Sequence, residues 1–285
     1  MANKLFCFGM GYTAHAVVRR LGMEWSVVGT SRTGSDGTVR FGRQHPLVPD
    51  DHPAPSEVLK GTTHLLVSIP PDAEGDPVVG RQWADIAALP GLRWLGYLST
   101  TGVYGSRDGG WVDEASELYP TSERGRWRVA AEAAWAQLRQ VEGLPVHIFR
   151  LAGIYGPGRS AFDALRDGSA RRVDAGGQVF SRIHVDDIAS VLLASIAKPR
   201  PGAIYNVCDD EPAAQETVVA HAAGLLGMVP PPLIPLTQAD LSPMARSFYA
   251  DNKRVSNALI KRELGVTLAY PDYRAGLAAI LAAGG

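Results

Sequence analysis

The sequence predicts an α/β fold, a doubly wound parallel sheet with a smaller C-terminal lobe. Three observations carry this. Short apolar runs rich in β-branched and aromatic residues alternate with helix-period segments through the first half of the 285-residue chain. A glycine-rich turn follows the first such run and opens the first helix. After Leu151 the alternation loosens, and a proline cluster separates off a short C-terminal part.

In chain order, Lys4 to Phe8 reads as a strand, Tyr12 to Leu21 as a helix with Ala14, Val17, Val18 and Leu21 on one face, and Trp25 to Thr30 as a second strand. That is a βαβ unit. Gly34 to Pro55, rich in Gly and Pro, receives no element. Strands resume at Thr63 to Ser68, Trp94 to Ser99 and Val146 to Leu151, with helices at Val78 to Leu89 and Arg124 to Val141 between them. Gly153 to Gly158 is turn-rich, Val185 to Ala197 helical, Ala203 to Val207 a strand and Gln215 to Leu226 helical. Pro230 to Pro235 reads as an irregular connector, leading to helices near Val255 to Leu264 and Asp272 to Ala283. The expected division is a dinucleotide-binding core over 1–150 and a mixed region over 151–285, which completes the core at about 180–210 and forms the substrate lobe.

Composition narrows the function class. Hydrophobic residues at 46% exclude a disordered chain, and a formal net charge of -1 disfavours nucleic-acid or membrane binding driven by overall charge. Of the 28 basic residues only five are lysines, so a catalytic lysine has few candidates. Cys7 and Cys208 form no metal-ligand or redox pair, and the scattered histidines have no ligand spacing, so no metal is expected. Leu5-Phe6-Cys7-Phe8 is too short for a signal-peptide core, and no apolar stretch is long enough to cross a membrane. A cytoplasmic location follows as the expectation.

Gly9-Met10-Gly11-Tyr12-Thr13-Ala14 stands where a dinucleotide fingerprint belongs, between the first strand and the first helix, which makes the core Rossmann-type. Gly9 permits the tight turn, Gly11 lets a pyrophosphate approach, Ala14 packs helix on strand, and Tyr12 and Thr13 open the helix whose N–H groups face the phosphates. The second strand ends in Gly29-Thr30-Ser31-Arg32-Thr33, with no carboxylate for ribose hydroxyls. Arg32 suits a 2′-phosphate, so NADP is expected in preference to NAD. Asp36 is the rival residue, and a solvated loop charge is the plainer reading of Arg32. Ser31, Ser68 and Ser99, at strand ends, complete the expected cofactor set.

Four further segments join this turn: Ser99-Thr100-Thr101-Gly102-Val103-Tyr104-Gly105, Arg150-Leu151-Ala152-Gly153-Ile154-Tyr155-Gly156-Pro157-Gly158, Arg182-Ile183-His184-Val185-Asp186-Asp187-Ile188-Ala189 and Tyr205-Asn206-Val207. In this order the chain resembles the extended short-chain dehydrogenase/reductase family, which contains nucleotide-sugar epimerases and dehydratases. The resemblance runs from Lys4 to Val207, with further likeness in the tail. The family's chemistry uses a Tyr-x-x-x-Lys pair on the helix after the Val-Tyr-Gly segment. Aligning on Glu132 puts Arg124 at the tyrosine position and Arg128 at the lysine position, so the resemblance is to an atypical member without that pair. An arginine is no proton shuttle near neutral pH.

The resemblance implies that Thr100 polarises the reacting oxygen, that Arg124 and Arg128 anchor an anionic group, and that Tyr104, Tyr155 or His184 replaces the missing proton donor. Thr101, Tyr155, Arg159, Arg182 and His184 are the expected substrate-side residues, His184 chiefly by fixing structure. Surface pairing of the two arginines with Glu123 and Glu132 is the plainer alternative. The literal Tyr249-Ala250-Asp251-Asn252-Lys253 falls after the proline cluster and is read as coincidence. In the family, helices equivalent to those carrying Trp83, Ile86, Trp127 and Trp135 pair two copies, which implies a homodimer. The expected function is an NAD(P)-binding oxidoreductase or epimerase/dehydratase-like protein acting on a small or nucleotide-linked anionic substrate. The alternative is an NADP(H)-binding sensor without turnover.

Overall fold

The structure, a computed structural model, describes residues 3–47 and 55–284; the rest of the unassigned Gly34 to Pro55 stretch, residues 48–54, lies outside the described residues. The first elements are β1 (Asn3–Phe8), α1 (Tyr12–Val18), β2 (Trp25–Ser31), β3 (Val39–Arg40), α2 (Pro55–Leu59), β4 (His64–Val67), α3 (Pro77–Ala87) and β5 (Trp94–Thr100). A 3₁₀ turn at Thr101–Tyr104, β6 (Trp111–Val112), α4 (Glu123–Glu142), β7 (Val146–Leu151), β8 (Gly153–Tyr155), α5 (Ala161–Arg166), β9 (Arg172–Asp174), β10 (Arg182–His184) and α6 (Val185–Ala197) follow. The chain ends with β11 (Ile204–Val207), α7 (Gln215–Leu225), β12 (Leu233–Pro235), α8 (Pro243–Phe248), β13 (Arg254–Val255), a π turn at Ile260–Leu264 and α9 (Tyr273–Ala282).

Two compact units interleave along the chain. The first comprises residues 1–100, 123–150 and 188–205, the second 101–122, 151–187 and 206–285. In the first, seven strands form one sheet in the order β11-β7-β5-β4-β1-β2-β3. Leu5 of β1 stands opposite Val27 of β2 and His64 of β4, both pairings parallel. The chain builds outward from β1 to β3, then crosses to β4 and builds the other way, so the order reverses between β1 and β4. Loops after the carboxyl ends of those two strands flank the crevice where such sheets bind ligands.

The central strands are buried on both faces, which explains their largely apolar runs: Leu5 to Phe8, His64 to Val67 and Val146 to Leu151 are buried throughout, with His64, His147 and Arg150 as polar members. Phe6, Phe8, Val67, Tyr97 and Trp135 share one core. Asp76 starts α3 by accepting the amides of Val78 (2.8 Å) and Val79 (3.0 Å), with Pro77 at the first helical position.

The second unit has its own core, in which Phe162 and Leu165 of α5, Val219 and Ala222 of α7, and Tyr273 and Leu277 of α9 meet. Two sequence expectations need correction here. Pro230 to Pro235 is not wholly irregular: Leu233–Pro235 pairs parallel with β9, and Leu236 N–H continues to Asp174 O at 3.0 Å. Proline is tolerated because each strand of a two-stranded sheet has an unpaired edge. The expected helix from Val255 is a strand at Arg254–Val255 paired with β6, and helix begins only at Ala258.

Candidate functional site

Gly9 has φ +92°, which L-residues with side chains rarely adopt. A Cβ there would stand 2.7 Å from Ser68 Oγ. The turn is pinned by Gly9 N–H to Thr30 Oγ1 (2.9 Å), Met10 N–H to Thr30 O (2.7 Å) and Ser68 Oγ–H to Gly9 O (2.6 Å). β1, β2 and β4 are thereby tied together at the point where strand order reverses. Gly11 differs: its backbone is extended, at φ -99° and ψ -168°, and an added Cβ would meet nothing within 4 Å. Nothing in the chain itself demands glycine there, so the turn fits the pyrophosphate of a dinucleotide, whose close approach needs that open side. No side chain caps α1, whose first residues are half-buried Tyr12 and buried Thr13.

At the end of β2, Ser31 Oγ accepts the Gly34 amide (2.9 Å) and the Thr38 hydroxyl (2.7 Å), shaping the loop. Arg32 is exposed and makes no ion pair or hydrogen bond with the described residues. Asp36 is also exposed, at φ +53°.

The end of β5 is held by α4. Arg128 Nη1 donates to Leu98 O (2.5 Å) and Tyr97 Oη (3.1 Å), and its guanidinium carbon lies 5.7 Å from the Tyr97 ring centre. One turn later Glu132, 4% exposed, accepts the Ser99 hydroxyl at 2.5 Å and pairs with buried Arg150 at 2.8 Å. Ser99, expected at the cofactor, therefore gives its hydroxyl proton to Glu132. Arg124 is exposed, and Thr100 is half-buried at the strand's last position.

In the second unit Tyr104 is fully buried and donates its hydroxyl to Asn206 Oδ1 at 2.7 Å, while Asn206 N–H reaches Glu114 Oε1 at 2.8 Å. Thr101 is buried at the start of the 3₁₀ turn. Tyr155 donates to Asp272 O at 3.3 Å, and burial pushes its phenol well above the usual range. Arg182 directs Nη1 to Phe180 O (2.8 Å) and Ala213 O (2.7 Å) and Nη2 to Gln215 Oε1 (2.9 Å). Arg159 is exposed.

His184 is 1% exposed, lies 5.2 Å from the Tyr155 ring and 4.0 Å from the Tyr270 ring, and takes the Asp186 amide on Nδ1 at 3.2 Å. Burial lowers its pKa, so the ring is neutral with its proton on Nε2, a buried atom without a hydrogen-bond partner. Neighbouring Asp187 accepts the amides of Ala269 (2.8 Å) and Tyr270 (2.9 Å), so this segment anchors the loop before α9. Lys253 of the literal Tyr-x-x-x-Lys is buried against Asp251 at 3.2 Å.

Sequence reasoning missed Asp209. Both its carboxylate oxygens are buried without a hydrogen-bond partner, and burial pushes its pKa up to about 8. Only its place after Tyr205-Asn206-Val207 pointed toward it. Asn206, the acceptor for Tyr104, and Arg150, the partner of Glu132, lay inside the quoted segments without assigned roles. Among the described residues no group of three or more His, Cys, Asp and Glu side chains is placed to hold a metal, and no helix is long and apolar enough to cross a membrane.

Comparison with known proteins bears on the family and the fold. The model of the NAD dependent epimerase/dehydratase family matches residues 82–208. Protein YeeZ of Escherichia coli (strain K12) is 28% identical over 176 residues, 62% of this chain and 58% of its own length. A 3-diazoavenalumate denitrifying reductase of a Streptomyces species is 29% identical over 179 residues, 58% of each chain. The matched region thus spans little more than half of those relatives. A solved structure of a functionally unknown conserved protein from Silicibacter pomeroyi DSS is 51% identical with TM-score 0.89, covering 99% of both chains. A dTDP-glucose 4,6-dehydratase from Bacillus anthracis, solved with NAD, shares the fold at TM-score 0.74 and 17% identity over 99% of this chain and 96% of its own.

Proposed function

This chain belongs to the NAD dependent epimerase/dehydratase family, and from that premise we propose that it binds NADP(H) in preference to NAD(H) and acts as an oxidoreductase or epimerase/dehydratase on a small or nucleotide-linked anionic substrate. The observation that carries the proposal is the open face of Gly11 beside the strained Gly9 at the strand-order reversal. Gly9, Gly11, Tyr12 and Thr13 would hold the pyrophosphate, with Ser68 fixing the turn. Arg32, exposed and without a partner among the described residues, supports the 2′-phosphate preference. A nicotinamide supplies hydride exchange when bound. For the substrate, Thr100 would polarise the reacting oxygen, and exposed Arg124 would take its anionic group.

A second reading, a sensor that binds NADP(H) without turning it over, is favoured by a specific observation. Arg128 holds β5 and the Tyr104 hydroxyl holds Asn206, so neither side chain is arranged as a proton shuttle.

Thermal-shift titrations of NADP(H), NAD(H) and nucleotide sugars test the binding claim, because a ligand selective for the native state raises stability by an amount set by its affinity. NADP(H) should give the larger shift, and Arg32→Ala should diminish that shift far more than the one with NAD(H). No shift with either dinucleotide at saturation removes the proposal. Binding with no change in NADPH absorbance across a panel of nucleotide sugars and small carboxylates selects the sensor.

A further inference from the structure

At the opposite ends of the same strands the first unit holds a cleft of about 480 Å³, formed where β1, β2 and β4 begin and where α6 ends. None of the residues assigned above to cofactor or substrate lines it, and its volume falls in the range of small-molecule pockets. One wall is aromatic and aliphatic: half-buried Trp25 has its ring 4.7 Å from that of His64, and Leu193 and Ile196 add apolar surface.

The polar groups converge with that wall. Arg20 and Arg93 outweigh the lone carboxylate, Glu24, so the cleft favours an anion. Both guanidiniums are braced, Arg93 Nη2 on Asn3 Oδ1 and Arg20 Nη1 on Ser190 Oγ, each at 2.6 Å. Side chains held in place beforehand lose less freedom when a ligand arrives.

His64 supplies a different function. Thr63 Oγ1 accepts Lys4 N–H (2.9 Å), and its single proton can go to Lys4 O (3.1 Å) or to His64 Nδ1 (2.8 Å). The tautomer of His64 follows from that choice: Nε2 carries the proton when Thr63 donates and is bare when Nδ1–H donates. Burial, and then the charge of Arg93, hold this imidazole at about 4, so it is neutral near pH 7 and pairs with a hydroxyl in either tautomer.

We propose that this cleft binds a small aromatic carboxylate that also carries a hydroxyl, with its ring against Trp25, its carboxylate on Arg20 and Arg93, and its hydroxyl on His64. Planar guanidiniums take a carboxylate well, an aromatic ring matches the Trp25 wall, and a hydroxyl, both donor and acceptor, answers a neutral imidazole in either tautomer. The proposal is independent of the dinucleotide reading, because no residue is shared.

The test uses the whole chain and 4-hydroxybenzoate, followed through the Trp25 indole N–H resonance, which Trp25→Phe identifies. A saturable shift is expected, with affinity at least about tenfold weaker in Arg93→Gln and also for benzoate, which lacks the hydroxyl. Arg93 is exposed, and an unchanged melting temperature of Arg93→Gln shows that the fold is intact. Three results overturn the proposal: no saturable shift up to about 10 mM, equal affinity in Arg93→Gln, or displacement by inorganic phosphate at matched concentration, which would make the cleft a general anion subsite.

Discussion

Arg128 holds the carbonyl of Leu98 at 2.5 Å, two residues before Thr100 ends the strand. A lysine would make that contact with a single point charge. The guanidinium also reaches Tyr97 Oη and lies over the Tyr97 ring, a planar fit that an ammonium does not offer. Arg128→Ala should cost about 1.5–3 kcal/mol in urea unfolding, the range for hydrogen bonds made by a charged group. Arg128→Lys should recover only part of it. Full stability in Arg128→Ala would mean that the clamp is incidental.

Glu132 and Arg150 make a second test of the same strand end, and both are almost fully buried. Removing one partner leaves the other charge buried and uncompensated, a loss of about 3–5 kcal/mol. Glu132→Ala and Arg150→Met should each destabilise by that order, and Glu132→Gln by less because an amide still accepts the Ser99 hydroxyl. The double variant Glu132→Gln/Arg150→Met should lie above either strongly destabilised single variant. Additive losses in a denaturant series would show that the two side chains act separately.

Legibility in the sequence followed length and locality. Strands buried on both faces announce themselves as apolar runs, so β1, β4, β5 and β7 could be placed nearly to the residue. Pairs of two or three residues such as Trp111–Val112 with Arg254–Val255 are too short to show a period, and their partners lie far along the chain. The glycine turn was legible because conformation and spacing are local. Arg128 was not: its residue type and position were visible, but its partners on β5, Tyr97 and Leu98, are 31 and 30 positions away. For the same reason the orphaned Asp209 carboxylate left no trace in the pattern.

Buried ionisable groups give stability a pH dependence of defined sign. His64 and His147 are each lowered to about 4, chiefly by burial, so below about 6.5 the unfolded chain holds protons that the native protein does not. Stability should fall as pH drops from about 6.5 toward 4, and lowered His184 adds to the fall. Asp209, raised to about 8 by burial, acts oppositely: between about 4 and 8 the native protein holds the extra proton, and stability falls as pH rises. Around pH 5 the histidines make stability rise with pH, and Asp209, with the raised Asp76 and Asp187, opposes them. Asp209→Asn should steepen that acid limb and abolish the decline between about 6.5 and 8. An unchanged profile from pH 4 to 8 in urea melts would contradict the assignment of Asp209 as a buried neutral acid.

Gly9 and Gly11 are two residues apart and should fail in different ways. At Gly9 an alanine must take φ +92° and meet Ser68 Oγ at 2.7 Å, so Gly9→Ala should destabilise the fold by about 1–3 kcal/mol. At Gly11 the backbone is extended and the added Cβ meets nothing, so Gly11→Ala should melt within about 0.5 kcal/mol of the parent. Its cost should appear only when the dinucleotide is added, because the new methyl group occupies the side from which the pyrophosphate approaches. A normal melt for Gly11→Ala with its NADP(H) thermal shift abolished separates a phosphate cradle from an ordinary strand-to-helix turn. An undiminished shift would place the dinucleotide elsewhere and remove the role given to the open face.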